Sequence, residues 1–393
     1  MTKLQDLIAE AGKCVNCGFC ESVCPTLPAA GFLSTKGARG RVDIAKFFYK
    51  DDSIDPSASF YSCVDCYACL TVCPAGVNAG KVSEIGRMIL AKQGKAPEIA
   101  KMIVELTMRY KNPLGVREKC AQWARGIEFD APETLLYTGN MYQLMAYLRK
   151  FGKLRKFFGQ YEVQLASFIR KHPSSVSIFH DLYDKAMMDK MNGYLINIVK
   201  LLKQNGIKFG YLGSEEPYPG TFIYDLGFED EFRDYARYVS ELFRSKGVKR
   251  IITVDPHTYE LLKYIYPRYT EFNFEVVYYM DLIGTHKISG KYAVHTPCHF
   301  SRYFDFSEYV GRMFDVNVEE NPTRCCGGPD ELLFPEISEN ISEKRFNELS
   351  KTGLPIVTAC PICYANLAKD DSVTDISSIL LADGERVSSA SVH

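Results

Sequence analysis

The strongest constraint on this chain is a cysteine pattern that occurs twice. Cys14, Cys17, Cys20 and Cys24, followed by Pro25, have the spacing C-x2-C-x2-C-x3-C-P; Cys63, Cys66, Cys69 and Cys73, followed by Pro74, repeat it. Three thiolates at this spacing wrap a tight loop around one face of an iron–sulfur cubane, and the fourth reaches the other cluster. The pattern therefore assigns Cys14, Cys17, Cys20 and Cys73 to one [4Fe–4S] cluster, and Cys63, Cys66, Cys69 and Cys24 to a second. The prolines turn the chain away and remove a backbone donor. Small residues such as Gly18 and Ala68 suit a backbone packed close to inorganic sulfide. The alternative is a pair of zinc sites. Zinc usually pairs two C-x2-C knuckles, which a triple run ending in C-P fits poorly.

Of the 14 cysteines, eight lie before residue 75 and five after residue 297, and only Cys120 stands alone, which reads as a small buried apolar residue. The chain is 393 residues long, enough for two or three cores. Met1 to Gly12 reads as a short amphipathic helix without the features of a secretory signal. Clustered thiols in such a chain point to metal rather than to disulfides. A formal net charge of −1 gives no global electrostatic case for nucleic acid. No apolar run reaches the eighteen residues of a membrane span.

Between the two motifs, Lys36, Arg39 and Arg41 surround Gly37 and Gly40, followed by an apolar helical stretch from Ile44 to Tyr49. These cations read either as a surface turn or as a basic patch that docks a partner. Residues Lys81 to Tyr110 have helical periodicity, ended by Asn112-Pro113. Short β-rich runs then alternate with helices, at Thr134 to Tyr137, Ile207 to Leu212 and Lys249 to Val254, the rhythm of an α/β domain. Leu148 to Lys171 interleaves seven basic residues with leucine, isoleucine and phenylalanine. It reads as a core-packing helix with a solvated basic face or as a helix lying on a membrane surface.

The last third carries Cys298, then Cys325-Cys326-Gly327-Gly328, then Cys360-Pro361-Ile362-Cys363. Each group follows a predicted strand: Lys291 to His295, Asp315 to Val318, and Pro355 to Thr358. Open α/β sheets gather ligands at the carboxyl ends of their strands, so three loops are expected to meet there. Adjacent cysteines suit a site in which neighbouring thiolates bind different iron atoms.

These stretches, with His295-Thr296-Pro297-Cys298-His299 and Cys325-Cys326-Gly327-Gly328-Pro329, resemble the cysteine-rich "CCG" domain. That domain occurs in the cysteine-rich subunits of heterodisulfide reductases and in the iron–sulfur subunits of glycolate oxidase, lactate-utilisation enzymes and anaerobic glycerol-3-phosphate dehydrogenase. The order of motifs resembles the fused members, in which ferredoxin motifs precede the cysteine-rich domains on one chain, as in one type of heterodisulfide reductase and in the glycolate and glycerol-3-phosphate proteins. The resemblance implies a non-cubane [4Fe–4S] cluster on Cys298, Cys325, Cys326, Cys360 and Cys363, with zinc as the alternative occupant. His295 and His299, flanking Cys298, are candidates to hydrogen-bond a cluster sulfur or to supply protons, or else ordinary loop histidines.

The family normally has two such domains. Here the first is traceable without its cysteines: Leu135 to Met141 for the first strand and loop, with Asn140 at a cysteine position, Tyr218-Pro219-Gly220 for Cys-Cys-Gly, and Asp255-Pro256-His257-Thr258 for Cys-Pro-x-Cys. The expected fold is α+β: a helical ferredoxin-like domain with two [4Fe–4S] clusters at 1–110, a degenerate cysteine-rich α/β domain (Rossmann-like) at 111–285 with the basic insertion 148–171, and an intact cysteine-rich α/β domain at 286–393.

No G-x-G-x-x-G follows a predicted strand, so substrate chemistry is expected on a partner. The resemblance implies an electron-transfer subunit. An FAD-dependent dehydrogenase oxidising glycolate, lactate or glycerol 3-phosphate would supply electrons, and a quinone or another carrier would receive them. The expected location is cytoplasmic or peripheral on the inner face of the cell membrane. The alternatives are disulfide reduction at the C-terminal cluster, as the likeness to heterodisulfide reductase implies, weakened by loss of one of the two sites, and a two-cluster wire with a structural zinc.

Overall fold

The computed structural model describes residues 2–48, 54–283, 288–303 and 324–382, without the side chains of 156–158 and 303. The chain begins with the helix Lys3–Gly12, set by a capping box in which Thr2 and Gln5 exchange hydrogen bonds. Its buried Leu7 and Ala11 face the helices Ala38–Phe47 and Ala79–Lys92. Asn78 caps the latter by accepting from the Lys81 amide at 3.1 Å. Gly86 lets the Phe60 ring lie on the helix surface, since a Cβ there would come within 2.5 Å of the ring.

The periodic stretch 81–110 is two helices, Ala79–Lys92 and Glu98–Tyr110, and not one. Gly94 is left-handed at φ 71° and Pro97 stands at the start of the second helix, so the chain turns between them. Gly227, also left-handed, backs onto the first of these helices: a Cβ there would lie 2.5 Å from the Arg87 carbonyl carbon. With the Tyr61 hydroxyl donating to the Leu226 carbonyl at 3.1 Å, this fixes the N-terminal helices against the middle of the chain.

Two small parallel sheets follow. The first has the order β1-β2-β3: β1 (Thr134–Tyr137), β2 (Arg250–Thr253) and β3 (Glu275–Tyr278). The second has the order β4-β5-β6: β4 (Ala293–His295), β5 (Ile356–Thr358) and β6 (Val373–Asp375). The run Ile207 to Leu212 contributes only a bridge: Gly210 pairs with Leu135 on the free side of β1. Asp315 to Val318 lies outside the described residues. The strands are near-continuously buried, as sheets covered by helices are.

The sheets pack through tyrosines. The Tyr142 hydroxyl reaches the Val254 carbonyl at 3.4 Å and Asp375 Oδ2 at 3.3 Å; the Tyr278 hydroxyl reaches the Ala359 carbonyl at 3.3 Å. The Met141–Phe158 helix packs on both Lys185–Gln204 and Pro361–Leu367, tying the two sheets into one core.

Among the described side chains, four of the seven basic residues of the segment 148–171 form ion pairs within the chain. Arg149 and Lys153 pair with Asp184, Arg155 with Glu162, and Arg170 with Glu98 and Glu105. Among the described residues, no helix is long and apolar enough to cross a membrane.

Candidate metal centres

The two N-terminal motifs fold into loops with the same backbone pattern. The residues before and after the second cysteine are left-handed in both: Asn16 at φ 60° and Gly18 at 81°, then Asp65 at 44° and Tyr67 at 52°. Each loop ends in a short helix, Phe19–Val23 and Ala68–Thr71. Cys14, Cys17, Cys20 and Cys73 line one cavity, closed by Val42, Val77 and Ala79. The amides of Asn16 and Val77 donate to Cys14 and Cys73 Sγ at 3.4 and 3.2 Å. Burial and the neighbouring Glu21 push the Cys20 thiol up to about 11. Four thiols around one cavity, reached by backbone donors, suit a cationic cluster that takes thiolates.

Cys24, Cys63, Cys66 and Cys69 gather beside the first group. Burial, then the proximity of Cys66, raises the Cys69 thiol to about 12, and Cys24 also lies near it. Arg41 spans this group. It is fully buried and donates to the Ser59 carbonyl (2.9 Å), the Ser62 carbonyl (2.8 Å), Thr26 Oγ1 (3.0 Å) and Cys24 Sγ (3.8 Å). Burial works against its charge, but Cys63, Cys24 and Asp330 outweigh it. The expected basic patch is therefore divided. Arg41 is internal, Lys36 reaches the Ala58 carbonyl and lies 4.2 Å over the Phe334 ring, and Arg39 lines the first cavity.

The three C-terminal cysteine loops converge at the ends of β4 and β5, and their thiols lie beside one another in series. Cys298 meets Cys325, Cys325 meets Cys326, Cys326 meets Cys363, and Cys363 meets Cys360. All five are buried, and all fourteen cysteines of the chain are unbridged. Hydrogen bonds from Cys325, with His299 and Arg302 nearby, offset burial and draw Cys298 down to about 6. Cys326 is likewise drawn well down by Cys325 and Cys363, which hold their own protons. Five interlocked buried thiols fit a polynuclear iron–sulfur group, and the Gly327 amide donates to Cys325 Sγ at 3.3 Å.

The flanking histidines part company. His295 is buried, accepts from Arg345 Nε at 3.3 Å, and brings its ring nitrogen within 4.8 Å of Cys326 and Cys363 Sγ. His299 turns away to Glu260 and packs on His257, with ring centroids 4.2 Å apart. Sequence reasoning missed a further sulfur at this site: Cys66, of the second N-terminal motif, lies against Cys325 and near Cys298. It packs with them among Val64, Ile337 and Ile341.

The loops after β1 and β2 meet in the same way without sulfur. Gly220 (φ 89°) matches Gly327 (φ 87°), and both open a short helical turn. A Cβ on Gly139 would lie 2.7 Å from Pro219 and 3.5 Å from Thr258 Oγ1, so three loops touch. Glu216 fills the centre, accepting from the Thr138 amide (2.7 Å), the Thr138 hydroxyl (2.5 Å) and Asn140 Nδ2 (3.0 Å). Asp255 caps the following helix through the Thr258 amide at 2.8 Å. Cys120 lies buried apart from every group.

Comparison with known proteins agrees with this arrangement. Residues 10–77 match the 4Fe-4S dicluster domain family and residues 292–368 the CCG cysteine-rich domain family. An EtfAB:quinone oxidoreductase of Syntrophomonas wolfei is 29% identical over 199 residues, 44% of this chain and 28% of that protein. The probable iron-sulfur-binding oxidoreductase FadF of Bacillus subtilis is 28% identical over 44% of this chain and 27% of its own length. A probable membrane-anchored ferredoxin of Chromohalobacter salexigens is 25% identical over 43% of this chain and 29% of its own length. The matched region thus spans less than a third of each of these relatives. The dicluster domain implies two [4Fe–4S] clusters, and the cysteine-rich domain suggests a further iron–sulfur cluster.

Proposed function

We propose that this chain, an iron–sulfur protein with a dicluster domain and a cysteine-rich domain, is the electron-transfer subunit of a flavin-linked dehydrogenase of the glycolate, lactate or glycerol 3-phosphate type. Cys14, Cys17, Cys20 and Cys73 hold one cubane, Cys24, Cys63, Cys66 and Cys69 the other, and Cys298, Cys325, Cys326, Cys360 and Cys363 the C-terminal cluster. When bound, these groups accept and release single electrons. In this reading the domains are 1–110, a lapsed cysteine-rich unit at 111–285, and an intact one at 286–393, which the matches at 10–77 and 292–368 support in part.

The contact between Cys66 and Cys325 carries the reading. Cys73 and Cys20 share a cavity, Cys20 lies near Cys24, Cys24 near Cys69, Cys69 near Cys66, and Cys66 against Cys325. An unbroken run of sulfur-bearing side chains thus joins all three groups. The name of the Syntrophomonas relative supports a quinone as acceptor. An association with the inner face of the membrane accords with that acceptor.

The test is oxygen-free purification with iron and zinc counted per chain, beside an electron paramagnetic resonance spectrum. About twelve irons, no zinc, and a third signal beyond two reduced cubanes are expected. About eight irons and one zinc would make the C-terminal site structural and refute a path through it.

A second reading, reduction of a small substrate such as a disulfide, rests on a cavity of about 350 Å³ whose lining includes the ionisable groups of Asp65, Lys81, His257, Glu260 and His299. Burial lowers His257, but Asp225 and Glu260 prevail and hold it at about 10, a cation at neutral pH. Oxidation of the dithionite-reduced chain by a panel of small disulfides tests this. Absence of reaction with all of them removes the reading.

A further inference from the structure

A second cavity, of about 390 Å³, lies outside every cysteine group, between the helices Glu98–Tyr110, Met141–Phe158 and Glu162–Lys171 and the turn Pro173–Phe179. Its size is that of a ligand site, and its walls are almost wholly apolar. Leu106, Ile169 and Val176 form its buried side, and Phe151 meets Phe179 edge-on at 5.6 Å. Leu165 and Tyr161 line it while remaining 45% and 57% exposed. Leaving so much hydrocarbon in water costs about 25 cal/mol per Å², so such a surface marks a place where apolar matter binds.

The other end of the cavity is polar and joined to the C-terminal cysteines. Arg155 donates to the carbonyls of Glu331 and Leu332 at 3.2 and 2.9 Å and pairs with Glu162. These contacts fix the floor to the turn that leaves Cys326. The Glu331 carboxyl lines the cavity and makes no hydrogen bond among the described residues. Gly152 leaves it room: a Cβ there would lie 4.0 Å from Glu331 Oε1. The charged groups near Glu331 are Cys326, Lys369, Arg149 and Arg155; burial, then Cys326, pushes it up to about 7.

We infer that this cavity binds a lipid-soluble quinone, its tail between the exposed leucine and aromatic rim and its ring beside Glu331. The assignment rests on the electron-transfer reading for its redox meaning, and on the cavity alone for binding. Reduction of quinone to quinol takes two electrons and two protons. The electrons come singly from the iron–sulfur groups of the reduced chain. One proton passes from Glu331, which water reprotonates, and the second comes from water directly. The cavity combines an apolar end open to solvent, a carboxyl at its polar end and, beyond that, Cys326 of the C-terminal group. No other described cavity combines them.

The experiment titrates the full chain, loaded with iron and sulfide, with a short-tailed decyl quinone, reading intrinsic fluorescence and heat of binding. One quinone per chain is expected. Gly152→Leu, which fills the space before Glu331, weakens binding about tenfold or more while the paramagnetic signals stay unchanged. Glu331→Gln, nearly equal in volume, binds within about threefold of wild type, but oxidation of the prereduced chain by quinone slows about tenfold, while a water-soluble one-electron acceptor reacts at the wild-type rate. Absence of binding overturns the site, as does equal binding of a decyl alcohol with no quinone ring, or a Gly152→Leu chain that binds like wild type. Quinone that binds but never oxidises the prereduced chain leaves the site in place and overturns the electron-transfer reading. Quinone reduced equally well by Gly152→Leu does the reverse.

Discussion

Cys66 and Cys325 lie 259 positions apart in sequence, yet they pack together in a buried apolar seam. This contact makes Cys325 and its neighbour Cys326 unequal. Cys325 faces the second N-terminal group, whereas Cys326 faces Cys363 and His295. Cys326→Ser should therefore abolish the C-terminal signal and leave both cubane signals intact. Cys325→Ser should abolish it too, but also shift the line shape of one cubane, leaving the other unchanged. Low-temperature paramagnetic spectra of the two variants check this, and identical cubane signals in both would remove the proposed coupling.

Arg41 should set the potential of the second cubane. Its guanidinium is the buried cation that joins Ser59, Ser62, Thr26 and Cys24. Arg41→Met removes a positive charge beside thiolates, so the potential should fall by about 60 mV or more, a tenfold change for one electron. It should also cost about 3–5 kcal/mol of stability, as loss of a partner from a buried charged network does. Arg41→Lys keeps the charge without the planar fork, so its potential should stay nearer wild type than its stability does. Redox titration and denaturant unfolding separate the two effects.

Glu216 gives a pH signature to the cysteine-free loops after β1 and β2. Burial raises its carboxyl to about 7 despite three donors aimed at it. Its folded value thus exceeds the ordinary carboxyl value, so the folded chain binds more protons between about pH 4.5 and 7. The stabilisation is complete below the lower value and lost as pH rises through the upper one. Glu216→Gln should flatten that decline by up to about 3 kcal/mol, read as the difference between the unfolding curves of variant and parent at pH 5 and pH 8.

The chemistry was easier to read in the sequence than the architecture around it. Cysteine spacing is dictated by cluster geometry, so the groups at 14–24, 63–73 and 298–363 announced themselves, and β1, β2, β4 and β5 lie within the runs expected of them. The strands β3 (Glu-Val-Val-Tyr) and β6 (Val-Thr-Asp) were not singled out, and β6 has only one apolar residue to mark it. The run at 207–212 reads as a strand from its apolar residues, but pairs only through Gly210, packed against the backbone of Pro132. Arg41 reads as surface because its partners are backbone carbonyls and thiols distant in sequence. The nearest clue was Gly40, where a Cβ would overlap the Ser34 carbonyl. The apolar cavity beside Glu331 left its mark as the phenylalanines and leucines of 148–171, among cations of which Arg149, Lys153, Arg155 and Arg170 form ion pairs within the chain.

The paired glycines offer the sharpest comparison between the two α/β units. Gly220 and Gly327 are both left-handed, at φ 89° and 87°, and both are crowded. A Cβ on Gly220 would lie 3.0 Å from the Tyr235 ring, and one on Gly327 would lie 2.7 Å from the Ser338 carbonyl oxygen. Alanine at either position should cost about 1–3 kcal/mol through backbone strain. The consequences for metal should differ. Gly327→Ala displaces the amide that donates to Cys325 Sγ, so it should lower C-terminal iron and broaden that signal. Gly220→Ala strains a loop whose centre is the hydrogen-bonded Glu216, so it should lower the unfolding midpoint with iron content and all signals preserved. Iron analysis beside thermal unfolding of the two variants decides it: equal loss of iron in both would mean that the first unit still holds part of a metal site.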